Sequence, residues 1–289
     1  MTVIPSEIIQ AYRARTYNLT PGARLTTVEQ ALDYVQERGF IFFWPITGIE
    51  LPSLWTAVAG DRPVADAHND PGHVSWGWKD DQLGQRRWYY AKVLRKKATI
   101  IALGLAPYFY ALSENYGSYE DDYLTLYEQG RLTQEAQAIY ESLLAEGPLH
   151  TVALRKATRL SSRESDYRFG RALTELQSDF KILPVGVARA GGWNYAFTYE
   201  IVARHYPQLP DQAHAISERA ARQKLAEQYL RAVGAAQLGD VMKLFGWRKK
   251  EAERAVEDLG GAVRSHQKIE GRAGEWLVLS SLVESSPPA

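Results

Sequence analysis

Cysteine is absent from the 289 residues. That excludes disulfides, a thiolate nucleophile and any zinc or iron–sulfur site built on thiolates. It is compatible with a reducing compartment. No run approaches the ~18 apolar residues of a membrane span, and the opening MTVIPSEIIQAYRARTY lacks an apolar core of signal-peptide length. A surplus of either charge is also missing, since Lys+Arg and Asp+Glu are both 34. Charge-driven binding must then come from local patches. Without GxSxG, a P-loop or GxGxxG, hydrolase, nucleoside-triphosphatase and dinucleotide readings have no support. The segment DAHNDPGH (66–73) gathers Asp66, His68, Asp70 and His73 as metal-ligand types. It has no helix-spaced pairing and carries Pro-Gly inside, so a turn-rich loop is expected, with no metal and no cofactor. The expectation is a soluble, cytoplasmic, nucleoid-associated chain without a membrane partner.

What is present is ordinary globular composition, 45% hydrophobic and 24% charged, enough for two or three small domains. Aromatics are uneven: of 33 Phe, Trp and Tyr, 16 fall between Phe40 and Tyr123. The N-terminal part is therefore built differently from the rest.

The second half repeats. RAGGW (189–193) and RAGEW (272–276) are offset by 83 residues, and RALTEL (171–176) faces RAVEDL (254–259) in the same register. In the first copy TQEAQAIYESLLAEG reads as a helix and HTVALRKATRL as a short second one. Ser161 and Glu164 form a capping-box pattern opening a third. Phe169, Ala172, Leu173, Leu176 and Phe180 make its apolar stripe. KILPVGVA, the turn RAGG and WNYAFTYEIV then form a hairpin. The second copy has ERAARQKLAEQYLRAVG, QLGDVMKLFG, KKEAERAVEDLGG and a hairpin of AVRSHQKI, EGRAGE and WLVLSS. Three helices followed by a hairpin describe a winged helix, whose third helix is the one that enters a major groove. The expected fold is mainly α with small antiparallel β-hairpins (α+β), in tandem winged-helix domains over 120–207 and 214–285. A divergent winged-helix-like domain is expected over 1–115. There PSEIIQAYRART, TVEQALDYVQERG and LPSLWTAVAG read as helices, with overlapping capping boxes Thr26–Glu29 and Thr27–Gln30. Residues 61–81 read as loop, and low complexity is confined to the tail SSPPA.

The stretch RGFIFFWPI (38–46) shows no alternation of apolar and polar residues. Either it is a strand buried on both faces, or Phe42 and Trp44 offer a surface for stacking an unpaired base. Trp76 and Trp78 in HVSWGWKDD are further stacking candidates. Asp80 and Asp81 beside them are weak candidates for a general base, against a loop merely pinned by its rings. The densest charge is QRRWYYAKVLRKK (85–97), with Arg86, Arg87, Lys92, Arg95, Lys96 and Lys97 and no acid. Such residues contact phosphates, and the interleaved Trp88, Tyr89 and Tyr90 are either stacking rings or core. On the third helices Arg171, Lys250 and Arg254 face outward but share that surface with Glu164, Glu175, Glu251 and Asp258. The wing arginines Arg189 and Arg272 sit beside glycines that allow close approach to a backbone.

These residues resemble the AlkZ/YcaQ family of DNA glycosylases. The resemblance is clearest over 131–260, in GRLTQEAQAIYESLLAEGPL, RALTELQSDFKILPV and AEQYLRAVGAAQLGDVMKLFG, and weaker over 26–58. It implies a strand carrying Gln-x-Gln or Gln-x-Asp before a Pro-Ile step, which places water or stabilises charge as the base leaves. The corresponding positions here are Phe42 and Trp44, which have no group for either task. It also implies a further segment past the last winged helix. The expectation is a double-stranded DNA-binding protein for damaged or distorted DNA, without the family's standard chemistry. One alternative is an active glycosylase of crosslink or alkylation repair, with Asp80, Asp81 or another acid as the relocated carboxylate. A protein-interaction or small-ligand module is the third reading.

Overall fold

A computed structural model describes residues 3–115 and 117–284. The tail SSPPA lies outside them. Strand β1 (Val3–Ile4) and helix α1 (Ser6–Thr16) open the chain, followed by α2 (Val28–Arg38), β2 (Phe40–Phe42), α3 (Leu54–Ala59) and α4 (Val74–Leu83). Next come β3 (Tyr89–Lys92), β4 (Ala98–Ile101), α5 (Ala106–Tyr110) and α6 (Asp122–Glu128). A first module runs α7 (Gln134–Glu146), β5 (Leu149–His150), α8 (Thr151–Ala157), α9 (Asp166–Ser178), β6 (Ile182–Ala188) and β7 (Ala196–Ile201). The short helices α10 (Val202–His205) and α11 (Leu209–His214) lead to the second. That module runs α12 (Glu218–Val233), β8 (Ala235–Ala236), α13 (Leu238–Phe245), α14 (Lys249–Glu257), β9 (Val263–Ile269) and β10 (Arg272–Leu279), then α15 (Ser280–Glu284).

The two modules are winged helices of one plan, and the fold is α+β. Each also has a two-residue strand after its first helix, invisible in the sequence. β5 pairs antiparallel with β7 (Leu149 opposite Tyr199), as β8 does with β10 (Ala235 opposite Val278). The chain groups into two compact units, one of Met1–Trp78, Ile100–Leu105 and Glu218–Ala289, the other of Lys79–Thr99 and Ala106–Ser217. The segment expected as one N-terminal domain over 1–115 contributes to both, and α4 and β4 each straddle the division.

In the first unit β1 adds in parallel to β9 (Ile4 opposite Ile269). Ile4, Ile9, Ala235, Ile269, Val278 and Leu282 close over it as a core. The Thr27–Gln30 capping box opens α2. Gly39 ends α2 at φ 78°, where a Cβ would stand 2.4 Å from Leu105 Cδ1. Only glycine both takes that turn and fits there, so β2 starts at once. Phe40, Ile41 and Phe42 are fully buried, and Phe43 nearly so. The missing alternation in RGFIFFWPI is thus that of a strand buried on both faces. The expected loop over 61–81 is corrected from Val74 onward, where α4 forms. Its buried face is Ser75, Lys79, Gln82 and Leu83, three of them polar, so apolar periodicity did not show it.

In the second unit Ile139, Leu143, Leu154, Phe169, Ala172, Leu176 and Ile201 share one core. The stripe expected on α9 faces that core, but the helix begins at Asp166, not at Ser161. Ser165 Oγ donates to the Ser162 carbonyl at 2.7 Å, and the tight turn Arg163–Ser165 takes up the residues the capping box would have used. Phe180 is buried beyond the helix end.

His205, 8% exposed, lies in the same unit, and its Nε2 has no hydrogen-bond partner among the described residues. Burial first, then the charge of Arg86, pushes its pKa down to about 4. The unfolded chain takes up a proton near 6.5 that the folded unit refuses, so stability is full above that value and falls as the pH drops towards 4. At pH 5 the loss relative to pH 7 should be about 2 kcal/mol. Urea denaturation of wild type and His205→Phe at both pH values checks this. The variant should lack that part of the acid loss, and an unchanged loss would show that His205 is not its source.

Candidate nucleic-acid interface

The basic segment puts its charges outside and its rings inside. Trp88, Tyr89 and Tyr90 are 1%, 0% and 8% exposed. Tyr89 stacks on Phe180 with centroids 4.5 Å apart. The rings are core, and the stacking reading of this segment is corrected. Arg86, Arg87, Lys92, Arg95, Lys96 and Lys97 are all exposed. The turn Val93–Lys97 holds Arg95 and Lys96 at φ 55° and 57°. Two successive left-handed residues make a tight reversal that normally selects glycine or asparagine. Holding bulky cations there stores strain, which concentrates at functional positions.

This turn lies along α9, the helix in the recognition position. The Lys92 N–H donates to Gln177 Oε1 at 3.1 Å, and Lys92 Nζ donates to Thr174 Oγ1 at 3.4 Å. Lys96 Nζ is 4.0 Å from Glu175 Oε1. Although the side chain is exposed, partial desolvation of its ammonium against α9, then the like charge of Lys97, holds Lys92 below the ordinary lysine range. Cations crowded in this way repel until a polyanion arrives. On α9 itself, Arg171 is held by Glu175 at 2.8 Å and Arg168 by Glu135 at 2.9 Å. Its charges are therefore largely neutralised within the protein.

The hairpin β6–β7 reverses through residues 189–195, with Gly191 and Asn194 left-handed at φ 77° and 51°. Arg189 is exposed, and Trp193 is 92% exposed. Beneath the tip, Lys79 is 1% exposed. Its Nζ lies 2.8 Å from Asp80 Oδ1 and donates to Tyr195 Oη at 3.2 Å. The ammonium sits over the Phe197 ring, 4.6 Å from its centroid. Tyr195 Oη donates in turn to Asp80 Oδ1 at 3.0 Å. Burial lowers the Lys79 pKa, opposed by the hydrogen bond and charge of Asp80. Asp80 thus neutralises a buried cation and anchors the wing, a structural role that accounts for the carboxylate at this position. Asp81 is exposed.

In the first unit, Trp44 follows the buried strand. Its ring meets Phe43 at 4.4 Å, Trp55 at 5.4 Å, Trp76 at 5.9 Å and His73 at 6.1 Å. Trp55 is fully buried beneath, whereas Trp76 is 40% exposed and Trp44 and Trp78 are half-buried. The cluster forms a shelf with two rings partly in water. Phe42 offers no face to a base and leaves the stacking set. His73 Nε2 lies 2.9 Å from the Ala65 carbonyl, which only an N–H can approach. Asp70 accepts from Arg62 at 2.5 Å and from the Gly72 N–H at 2.8 Å, and both hold its carboxyl below the usual range. Asp66 and His68 are exposed. Among the described residues no three such side chains gather as a metal site, and no helix is long and apolar enough to cross a membrane.

On α14, Lys250 and Arg254 are exposed and border a cavity of about 320 Å³. Around it Arg219 pairs with Asp258 at 2.6 Å and Arg222 with Glu218 at 2.7 Å. This face is a nearly neutral ion-pair network, a poor phosphate surface. In the second wing Arg272 is half-buried, its guanidinium 5.5 Å from the Trp276 ring centroid.

A sequence profile of the AlkZ-related family matches residues 25–246. The chain belongs to that family. Among solved structures, the DNA glycosylase AlkZ of Streptomyces sahachiroi is similar in fold, with a TM-score of 0.59 at 16% identity. The similarity covers 98% of this chain and 72% of that one. No curated protein matches. Within this AlkZ-related chain, the strand before the Pro45-Ile46 step ends in a buried ring, Phe42, and a half-buried ring, Trp44, follows it. The residue that sequence reasoning missed is Trp193. Its signal was present in RAGGW, where two glycines precede an aromatic at a hairpin tip, but the motif served only to mark the repeat.

Proposed function

We propose that this member of the AlkZ-related family binds double-stranded DNA, damaged or distorted DNA in particular, without the family's standard glycosylase chemistry. The observation that carries the reading is the strained turn of Arg95, Lys96 and Lys97, joined by Lys92 along α9. That puts a surplus of cations, of which Lys96 alone has a carboxylate within 4.0 Å among the pairs described, beside the helix a winged helix uses to meet DNA. Arg86, Arg87 and Arg189 extend the positive surface of the same unit. The shelf of Trp44 and Trp76 supports stacking of an unpaired base. The lack of oxygen or carboxylate at positions 42 and 44 supports a binder rather than a catalyst. Such a role places the protein on the nucleoid.

Duplex affinity measured over a salt series tests the reading. Wild type should bind with a clear salt dependence. Replacing Arg95, Lys96 and Lys97 together by alanine should weaken binding about tenfold or more at 0.1 M salt. It should also flatten the log–log salt slope by about 2–3, roughly one for each phosphate no longer neutralised. A wild type that does not hold duplex, or a triple variant with an unchanged slope, rejects it. Abasic sites appearing in alkylated duplex would reject the non-catalytic part alone.

A further inference from the structure

We infer that Trp193 is a wedge that enters an opened base step of duplex DNA and stacks there, with Arg189 beside it on the backbone. The inference rests on the DNA-binding reading and goes beyond it by naming the residue that senses the opening. Tryptophan is normally a buried residue, yet this ring is 92% exposed while every other tryptophan is at most half so. The repeat shows that the exposure is not a property of the module. In the second copy the equivalent Trp276 is already within β10, opposite Gln267, its Nε1 donating to the Ala273 carbonyl at 3.1 Å and its ring covered by Arg272. In the first copy β7 starts only at Ala196, so the same motif stands in the turn and the ring points into water. Gly191 and Gly192 add no side chain to block its approach.

The tip is also held firmly from below. Tyr195, two residues on, is fixed by Asp80 and Lys79 within a ring of aromatics. A braced, narrow, glycine-flanked tip bearing one flat apolar ring and a cation suits insertion between bases. A broad protein partner would ask for a wide apolar face, whereas the tip offers only the single small side chains Val152 and Val187 beside the exposed Arg189 and Asn194. Bases already unpaired or missing are the least costly to separate, so the wedge should favour gapped, mismatched or abasic duplex.

The test uses the full chain and two duplexes of one sequence, one intact and one with an abasic site next to 2-aminopurine. Wild type should prefer the abasic duplex and alter the 2-aminopurine fluorescence. Trp193→Ala should bind the abasic duplex about tenfold more weakly and the intact duplex within about threefold of wild type. It should also lose the fluorescence change. Trp193→Phe should restore part of both. An exposed position leaves folding untouched, which a thermal melt confirms. If both duplexes bind and Trp193→Ala changes neither, or weakens both equally, the wedge is overturned while DNA binding stands. If wild type binds neither duplex, both readings fall.

Discussion

Replacing Asp80 by asparagine should destabilise the protein by about 3 kcal/mol, because it leaves the buried Lys79 ammonium without its counter-charge. The Lys79 side chain is 2% exposed and Asp80 17%. The Tyr195 hydroxyl and the aromatic faces give the ammonium partial compensation only. Removing the charge instead should be mild. Lys79→Met keeps the apolar contact with Tyr90 and Phe197 and leaves Asp80 its hydrogen bond from Tyr195, for a change of about 1 kcal/mol or less. The double variant should then recover most of the loss, with a coupling of about 3 kcal/mol in a double-mutant cycle. The pH dependence has a definite sign. Lys79 titrates below its unfolded value. The unfolded chain therefore holds the proton at pH values where the folded one releases it, and stability rises with pH in that window. Asparagine at position 80 removes both influences that raise the Lys79 pKa, so the deficit of the variant should shrink as the pH rises towards the ordinary lysine value of 10.5. Urea denaturation of the four proteins decides the matter. A Lys79→Met loss as large as that of Asp80→Asn would mean that the ammonium itself, not its pairing, supports the wing.

Sequence periodicity reached the local elements and stopped at their partners. The stripe of Phe169, Ala172, Leu173 and Leu176 specifies an amphipathic helix, and RAGGW against RAGEW revealed two modules. Helix α4 stayed hidden, because its buried face is mostly polar, Ser75, Lys79 and Gln82 with Leu83, and Asp80 beside Lys79 is tied to Tyr195, 115 residues away. The basic segment was legible as charge, but whether Trp88 to Tyr90 faced water depended on a strand buried against Phe180. RAGGW and RAGEW do not by themselves separate a covered tryptophan from an exposed one. Only the later start of β7 turned one of them outward. Lys79 could not be singled out at all, since a buried lysine is recognised by its surroundings rather than by its neighbours in sequence.

The attachment of the N-terminal helix to the last module is non-local in the same way, and beside the core of Ile4 and Ile9 it uses one buried cation. Arg13 is 9% exposed. Its Nε donates to the Val233 carbonyl at 3.0 Å, its Nη2 to the Ala235 carbonyl at 2.9 Å and its Nη1 to Glu50 Oε2 at 2.8 Å. The two carbonyls flank Gly234, which turns the chain at φ 77° between α12 and β8. Val233 ends a helix, where carbonyls have no partner of their own, and Ala235 opens β8 at the edge of its sheet. Arg13→Met fills the space but leaves both carbonyls buried and unsatisfied, at about 1–3 kcal/mol each. The expected loss is about 3 kcal/mol. Lysine has the charge without the planar fork and reaches one carbonyl at most, so Arg13→Lys should still lose about 2 kcal/mol. Glu50 is half-exposed, and Glu50→Gln should cost less than about 1 kcal/mol. This ordering separates a capping role from an ion-pair role. If Glu50→Gln matched Arg13→Met in denaturant midpoint, the salt bridge would be the source of stability. If Arg13→Lys were silent, the bidentate cap on Val233 and Ala235 would carry no weight.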